Sequence, residues 1–504
     1  ELDVKRQVKN QIRWSGENEI TVQEAQMRTF SNFAWMFMRT EGDYNFSTGS
    51  RGRGNLSSVA NPYFLFPQIY NFRYNIYSSE WPVANRAIEL YLQKKSENEG
   101  WERQINGLSN NEKANLLLEK HTFKELLADV EQRNLQNNIV GLEASRIFAR
   151  SEINMGVDAF RDSLYAMLKR NTFLNIKFEN MLDTLGQMSR TDIYSSLKEW
   201  EQLTPLPFYS IGEPELTKVV NKGGEEFFVL KVLVSNNSDY DGIIQMNVLQ
   251  NGWWYQPLED PRARKKVEIA AHTTKEFVSV WEEQIREVEV NTMISGNLPY
   301  MIRQSIGNVK QERNKIVKDS IYTLPESSLE MPGEIIVDNE DSTLFVLSTP
   351  PVVGLLPKWL DEVEETPFKY SGISWWRAPL QWTATTNAKY YGKYIRSAYV
   401  IKSGDGSQTA TWKIPVPEAG QYELYYHVFK NDELRWNDRL QGEYHFRVAY
   451  DSEVEDAYIN LRKANEGWEQ LGTYYFSADT VRVVLTDECK LRSVTADAVK
   501  IVKR

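Results

Sequence analysis

From about Trp375 to Arg504 the chain consists almost entirely of short runs in which apolar and polar residues alternate. A period of two puts every second side chain on one face of a strand, and half-apolar strands become stable when two sheets close over the shared apolar face. The runs fall near residues 396–402, 408–414, 421–429, 443–450, 455–461, 472–477, 480–486 and 496–502, with Pro415–Gly420 as a tight turn between two of them. That spacing predicts a C-terminal antiparallel β-sandwich over residues 373–504, placed after a helical region.

The 504 residues exceed what one core accommodates, so several domains are expected. Residues 1–80 form an N-terminal segment, partly helical, with Phe30, Phe33, Trp35, Met36 and Phe37 inside a helix expected over 21–39. Gly49, Gly52 and Gly54 follow in a loop that lacks the Lys-Ser/Thr of a phosphate cradle. Residues 81–204 carry helical periodicity. Pro82 stands where a helix can start, Ser109 and Glu112 form a capping-box pattern, and Phe160, Leu164, Met167 and Leu168 mark one apolar stripe. Phe178, Met181, Leu182 and Leu185 mark a second, and Ile193, Leu197 and Trp200 a third, which predicts an antiparallel helical array.

At Pro205-Leu206-Pro207 the period changes to two, and strands are expected at 227–234, 243–249, 267–271, 277–281 and 288–293. Residues 205–300 therefore read as a small β-domain. Residues 301–372 read as a connecting segment, with a short strand pair at 334–337 and 344–347, Pro350-Pro351, and an acidic run at 361–365. The fold class expected is multidomain α+β: an antiparallel helical array, a small β-domain and a C-terminal antiparallel β-sandwich.

A net charge of −10 without a long basic stripe argues against a nucleic-acid partner. No run of 18 apolar residues exists, so no transmembrane segment is expected. Cys489 is the single cysteine, and His121, His272, His427 and His445 are the four histidines; none stands in a zinc-helix pattern. No catalytic residue, metal ligand or cofactor is assigned. The start at Glu1, without Met, leads us to expect a removed leader or a fragment boundary.

Tyr391-Gly392 with Arg396, Gln408–Pro415, Glu418–Tyr425, Gly467–Gly472 and Ala496–Val499 stand in the order of the golvesin C-terminal-like domain, also described as a xanthan-lyase carbohydrate-binding-like domain. Residues 373–504 resemble that family. The resemblance implies a module of bacterial cell-surface or secreted enzymes with a polysaccharide ligand. Within it Gly420 fits a turn, Trp412 and Trp468 fit sandwich anchors, and Asp497 fits a tie between strand and loop. A second likeness covers 75–300 and centres on Gly156, Phe160, Leu168, Phe173, Leu182, Leu185, Trp200 and Pro205–Tyr209. These residues resemble the distal helical and β domains of gluzincin-type zinc aminopeptidases. The zinc motif of that family is missing, so no catalytic residue carries over, and an enzyme role, metallopeptidase-like if present, stays open.

The leading expectation is a non-catalytic binding or scaffolding portion of a bacterial secreted, periplasmic or cell-surface protein, whose sandwich contacts a polysaccharide or a cell-surface protein. Aromatic residues are 12% of the chain, which serves either ordinary cross-strand packing or stacking platforms for sugars and peptides. Trp375, Trp376, Arg377, Trp382, Tyr390 and Tyr391 are the candidate ligand-stacking residues; packing at the seam between connecting segment and sandwich is the other reading of the same rings. Two alternatives remain. One is a distal fragment of a zinc aminopeptidase-like protease with its active site upstream. The other is the extracytoplasmic region of a membrane transporter, with the basic ends Lys5-Arg6 and Lys503-Arg504 against a bilayer.

Overall fold

The computed structural model describes residues 8–9, 21–28, 74–81, 83–92, 99–171, 174–198, 202–203, 205–220, 223–249, 260–313, 317–329, 333–348, 368–373, 378–430 and 442–504. Of the helix expected over 21–39, residues 22–28 are helical. Its rings, the glycines at 49–54, Pro82, Phe173, Trp200, Pro350-Pro351, the acidic run at 361–365 and Trp375-Trp376-Arg377 lie outside the described residues.

In chain order the elements begin with β1 (Tyr74–Tyr77), α1 (Ala84–Leu92), α2 (Glu99–Asn106), α3 (Asn110–Leu118), α4 (Phe123–Ala128), α5 (Gln136–Met155), α6 (Val157–Arg170), β2 (Leu174–Lys177), α7 (Phe178–Ser189) and α8 (Ile193–Lys198). Ten strands follow: β3 (Tyr209–Ile211), β4 (Glu215–Val220), β5 (Glu226–Asn236), β6 (Gly242–Leu249), β7 (Arg264–Ile269), β8 (Thr273–Trp281), β9 (Glu287–Asn291), β10 (Met301–Ser305), β11 (Lys310–Arg313) and β12 (Ser320–Pro325). The C-terminal strands are β13 (Glu334–Val337), β14 (Phe345–Leu347), β15 (Thr383–Thr386), β16 (Ser397–Lys402), β17 (Thr409–Pro415), β18 (Gly420–Val428), β19 (Glu443–Tyr450), β20 (Glu453–Asn460), β21 (Gly467–Phe476), β22 (Thr480–Thr486), β23 (Ser493–Ala496) and β24 (Val499–Lys503). The class is the α+β arrangement expected.

Two compact units result, Glu1–Glu97 with Glu143–Lys198 and Asn98–Leu142 with Glu199–Arg504. In the first, α6 buries Val157, Phe160, Leu164 and Leu168, and α7 buries Phe178, Met181, Leu182 and Leu185. These are apolar residues spaced three and four apart, one face of each helix. The rings of Tyr91, Phe148 and Phe160 meet at centroid distances of 4.8, 5.3 and 6.1 Å, while the Tyr91 hydroxyl donates to Glu152 at 2.8 Å. Strands β1 and β2, which the helical periodicity had hidden, pair in parallel.

The single helical domain expected at 81–204 is thus divided, because α2 to α4 cluster with the β-domains. The junction of α2 and α3 is fixed locally and is encoded in the sequence. Ser109 accepts from the Glu112 backbone at 3.2 Å, Glu112 accepts from the Ser109 backbone at 2.7 Å, and Arg103 pairs with the buried Glu112 at 2.8 Å. Leu108, fully buried, then packs with Leu298, Tyr370 and Ala384. Ser109→Ala removes the hydroxyl that accepts from the Glu112 backbone N–H and leaves that buried donor at the start of α3 without its cap. We expect it to cost about 1–2 kcal/mol and to raise amide hydrogen exchange selectively in α3.

The small β-domain pairs two sheets, β11-β4-β5-β8-β12 with β3 on β5, and β10-β9-β6-β7. Leu216, Val232, Ile244, Phe277 and Val290, drawn from both sheets, share one core. The C-terminal region holds three sheets, β13-β24-β18-β21, β14-β17-β22-β19-β20 and β15-β16-β23, around Trp412, Leu424, Tyr426, Phe446 and Ile501. The stretch expected as a connecting segment at 301–372 is only partly that. Strands β10 to β12 complete the small domain, and β13 and β14 pair with β24 and β17. These are short strands whose partners lie far away in sequence, so their own periodicity says little.

Candidate functional site

Strand β18 carries two faces. Tyr422, Leu424, Tyr426 and Val428 are buried, whereas Gln421, Glu423, Tyr425 and His427 occupy the opposite phase. Across the sheet His427 stands opposite Trp468 in β21, and Tyr425 opposite Lys500 in β24. Residues directly opposite share a face, so His427, Trp468, Tyr425 and Lys500 come together outside the core.

The strand expected at 496–502 breaks into β23 and β24 at Asp497-Ala498. Asp497 is fully buried, and its carboxylate accepts from the Tyr391 backbone N–H at 3.2 Å and from His427 Nδ1 at 2.9 Å. Its backbone carbonyl accepts from Trp412 Nε1 at 3.2 Å. The tie between strand and loop expected of Asp497 is therefore present, and it leaves His427 Nε2 without a hydrogen bond among the described residues. The rings of Tyr391, His427 and Trp468 form a triangle with centroid distances of 5.8, 5.1 and 5.0 Å. Lys500 Nζ stands 4.9 Å from the Trp468 centroid and 5.3 Å from that of Tyr425, and donates to Glu334 at 3.0 Å.

Burial and the nearby Asp497 push the Asp338 carboxyl up to about 8. Burial also raises Asp497, with the His427 hydrogen bond opposing it. The Tyr391 phenol is pushed up to about 12 by burial and by Asp338, Glu334 and Asp497, so it stays a donor at neutral pH. Burial lowers the Arg396 guanidinium, whose Nη1 donates to the Ala388 carbonyl at 2.8 Å. Glu340 accepts from Tyr370 at 3.1 Å, from Lys369 at 2.6 Å and from Ser397. Aromatic faces thus border a set of donors and acceptors of both signs.

Of the six residues singled out from the sequence, three are described, and of these the structure brings Tyr391 into this cluster. Tyr390 is 6% exposed and packs edge-on against Phe429 at 4.7 Å, which leaves no ring face for a ligand. Trp382 packs against the sandwich core with its Nε1 buried and unpartnered, the seam role that competed with stacking. Trp375, Trp376 and Arg377 are outside the described residues. His427, Trp468, Lys500 and Glu334 were missed as a group because they come from four strands. The parity of β18 carried a signal: Tyr425 and His427 share the phase opposite to its apolar residues. Trp412 is the core anchor expected, fully buried, while Trp468 is half-buried on the outer face.

Residues 376–503 match the family model described as the Golvesin C-terminal domain, which bears out the resemblance read from the C-terminal motifs. Comparison with curated proteins finds no match. Among solved structures the chain is similar to a CBM35 from Cellvibrio japonicus Abf62, at 11% identity over 25% of this chain and 83% of that one, with a TM-score of 0.18. It is also similar to a Bacteroides uniformis beta-glucuronidase, at 11% identity over 58% and 30%, TM-score 0.17. A third is Legionella pneumophila aminopeptidase A in complex with aspartic acid, at 14% identity over 44% and 24%, TM-score 0.19. The chain spans less than a third of the length of the latter two, and scores this low carry no weight for fold or function. Among the described residues no helix is long and apolar enough to cross a membrane.

Proposed function

We propose that the C-terminal sandwich is a non-catalytic binding module that takes a glycan at the Tyr391–His427–Trp468 cluster, and that the chain serves as the binding or scaffolding portion of a bacterial secreted or cell-envelope protein. The observation that carries this reading is His427. A buried carboxylate orients its ring, two aromatic rings flank it, and Nε2 is left to a partner from outside. Sugars present C–H faces to rings and hydroxyls to such acceptors and donors, and sites of this kind combine apolar walls with a few placed polar groups. Lys500, Glu334 and the Tyr391 hydroxyl are the remaining polar contacts within reach of the cluster.

A glycan array probed with the full chain tests this. Binding is expected on a defined subset of glycans, and Trp468→Ala should weaken it about tenfold, a loss of about 1.4 kcal/mol. Trp468 is half-buried on an outer face, so the variant should keep its circular dichroism spectrum. No binding to any glycan, or binding indifferent to both Trp468→Ala and Tyr391→Ala, would overturn the reading.

A further inference from the structure

The second broad sheet of the sandwich has its own outer face. Trp412, Ile414, Phe446, Val448, Val481, Val483 and Leu485 fill the inner side. The alternate residues Lys413 on β17, Arg482 on β22 and Arg447 on β19 therefore point outward. Lys413 stands directly opposite Arg482, and Arg447, opposite Val484, sits one diagonal step further along. Tyr458 on β20 continues the same diagonal by another step, opposite His445. It is 56% exposed and lies flat on the His445 ring, 5.0 Å away at 14°.

Three cations in a row need an explanation. Like charges directly opposite on a sheet are destabilising, and an opposite charge across the strands offsets this. Among the described residues, Lys413, Arg447 and Arg482 make no ion pair and no side-chain hydrogen bond. The acid opposite Arg447 is Asp456, but its carboxylate goes to His445 Nε2 at 2.8 Å. Glu488 likewise leans to the His445 end, 3.5 Å from Nδ1. The acids are thus gathered at one end and the cations left bare, in a chain whose net charge is −10.

We propose that this face binds an acidic polysaccharide, one carrying carboxylate or sulfate groups. Its anions would lie against Lys413, Arg482 and Arg447, and one sugar ring against the free face of Tyr458. The row crosses four strands spaced about 4.8 Å apart, so it runs on the order of 15 Å, long enough for a few residues of a linear chain. Charge complementarity names the partner's sign, and the terminal tyrosine distinguishes a sugar polymer from a bare polyanion. The choice of a glycan rests on the proposed function above, but this surface is separate from the His427 cluster.

The test uses the full chain with polygalacturonate and chondroitin sulfate as anionic probes, methyl-esterified polygalacturonate as the neutral counterpart, and duplex DNA as a non-sugar polyanion. Affinity electrophoresis in 50 mM and 300 mM salt should show an anionic polysaccharide bound at least tenfold more tightly than the methyl ester, with affinity falling as salt rises. The triple variant Lys413→Gln, Arg447→Gln, Arg482→Gln should lose at least tenfold and flatten the salt dependence. Tyr458→Ala should weaken the polysaccharide alone, and Trp468→Ala should change nothing here. The triple variant relieves repulsion, so its melting temperature should equal or exceed that of the parent, and the rise in melting temperature caused by the polysaccharide should vanish. Unchanged affinity in the triple variant, or DNA bound as tightly as the polysaccharides, overturns the proposal. Array binding sensitive to Trp468→Ala with no acidic polysaccharide bound overturns this inference alone; no glycan binding of any kind overturns both readings.

Discussion

Replacing Asp338 with asparagine will stabilise the C-terminal sandwich, and the gain will grow with pH. Asp338 follows β13, facing a low-dielectric region near the buried Asp497, and its carboxyl is pushed up to about 8. Among the described residues it has amide donors but no cation: the Asn339 backbone N–H donates to it at 2.7 Å, and the Asn339 side chain, with its nitrogen turned inward, donates at 2.8 Å. An unfolded aspartate ionises near pH 3.9. Below that pH both states hold the proton and the group is neutral in its effect. Between about pH 4 and 8 the folded state retains a proton that the unfolded state has released, so parental stability falls as pH rises. Above about 8 the folded carboxylate is ionised too, and the full penalty stands.

Asparagine keeps the size and one acceptor and has nothing to ionise. The difference between variant and parent should therefore be small near pH 4 and reach on the order of 2–4 kcal/mol above pH 8. Calorimetric scans at pH 4.5, 6.5 and 8.5 check it. A lowered melting temperature, or a difference that does not grow with pH, would show that Asp338 is held by a charge partner after all. The substitution also probes the candidate site, because the Tyr391 phenol is raised in part by Asp338.

The strands of the sandwich were legible because alternation is a local property. The runs read at 443–450 and 480–486 are β19 and β22 to the residue, and those at 408–414 and 421–429 are β17 and β18 within one residue at each end. Alternation does not report a break that preserves phase, and so 496–502 looked continuous although Asp497 turns inward between β23 and β24. Strands β13 and β14 owe their placement to partners more than sixty residues away, and Leu108, between α2 and α3, packs on Leu298, Tyr370 and Ala384, which no local window contains.

The candidate site was hard to read for the same reason. A run of aromatics at 375–391 is conspicuous in one dimension, yet Tyr390 and Trp382 are spent on packing. His427, Trp468 and Lys500 are ordinary residues individually and come together only through the registers of β18 with β21 and β24, and Tyr391 joins them through Asp497. The row of Lys413, Arg482 and Arg447 is of the same kind. Each is a single cation in an alternating run, and the missing carboxylate is visible only once the sheet is assembled.

Gly372→Ala should be strongly destabilising. The backbone at Ser371 and Gly372 lies directly on the end of α2: a methyl group at 372 would occupy the space of the Ile105 carbonyl, and one at Gly107 would strike the Ser371 backbone. Backbone cannot yield as a flexible side chain does, so the added carbon forces the two segments apart. The seam they close holds Leu108, Tyr370, Ala384 and Leu298, the Thr386 hydroxyl donating to the Gly107 carbonyl at 2.7 Å, and the Ser371 N–H donating to Ala384 at 2.8 Å. Opening it strands buried polar groups as well as apolar surface, and a cost of about 3 kcal/mol or more follows. Gly307 is the control, because a methyl group there would have nothing within 4 Å and the backbone is not left-handed; alanine at this position should be neutral or slightly stabilising. Limited proteolysis and amide exchange across residues 99–118 should therefore rise sharply in Gly372→Ala and stay at the parental level in Gly307→Ala. Equal protection in the two variants would mean that α2 and α3 are held by the Ser109–Glu112–Arg103 cap alone, with the seam contributing nothing measurable.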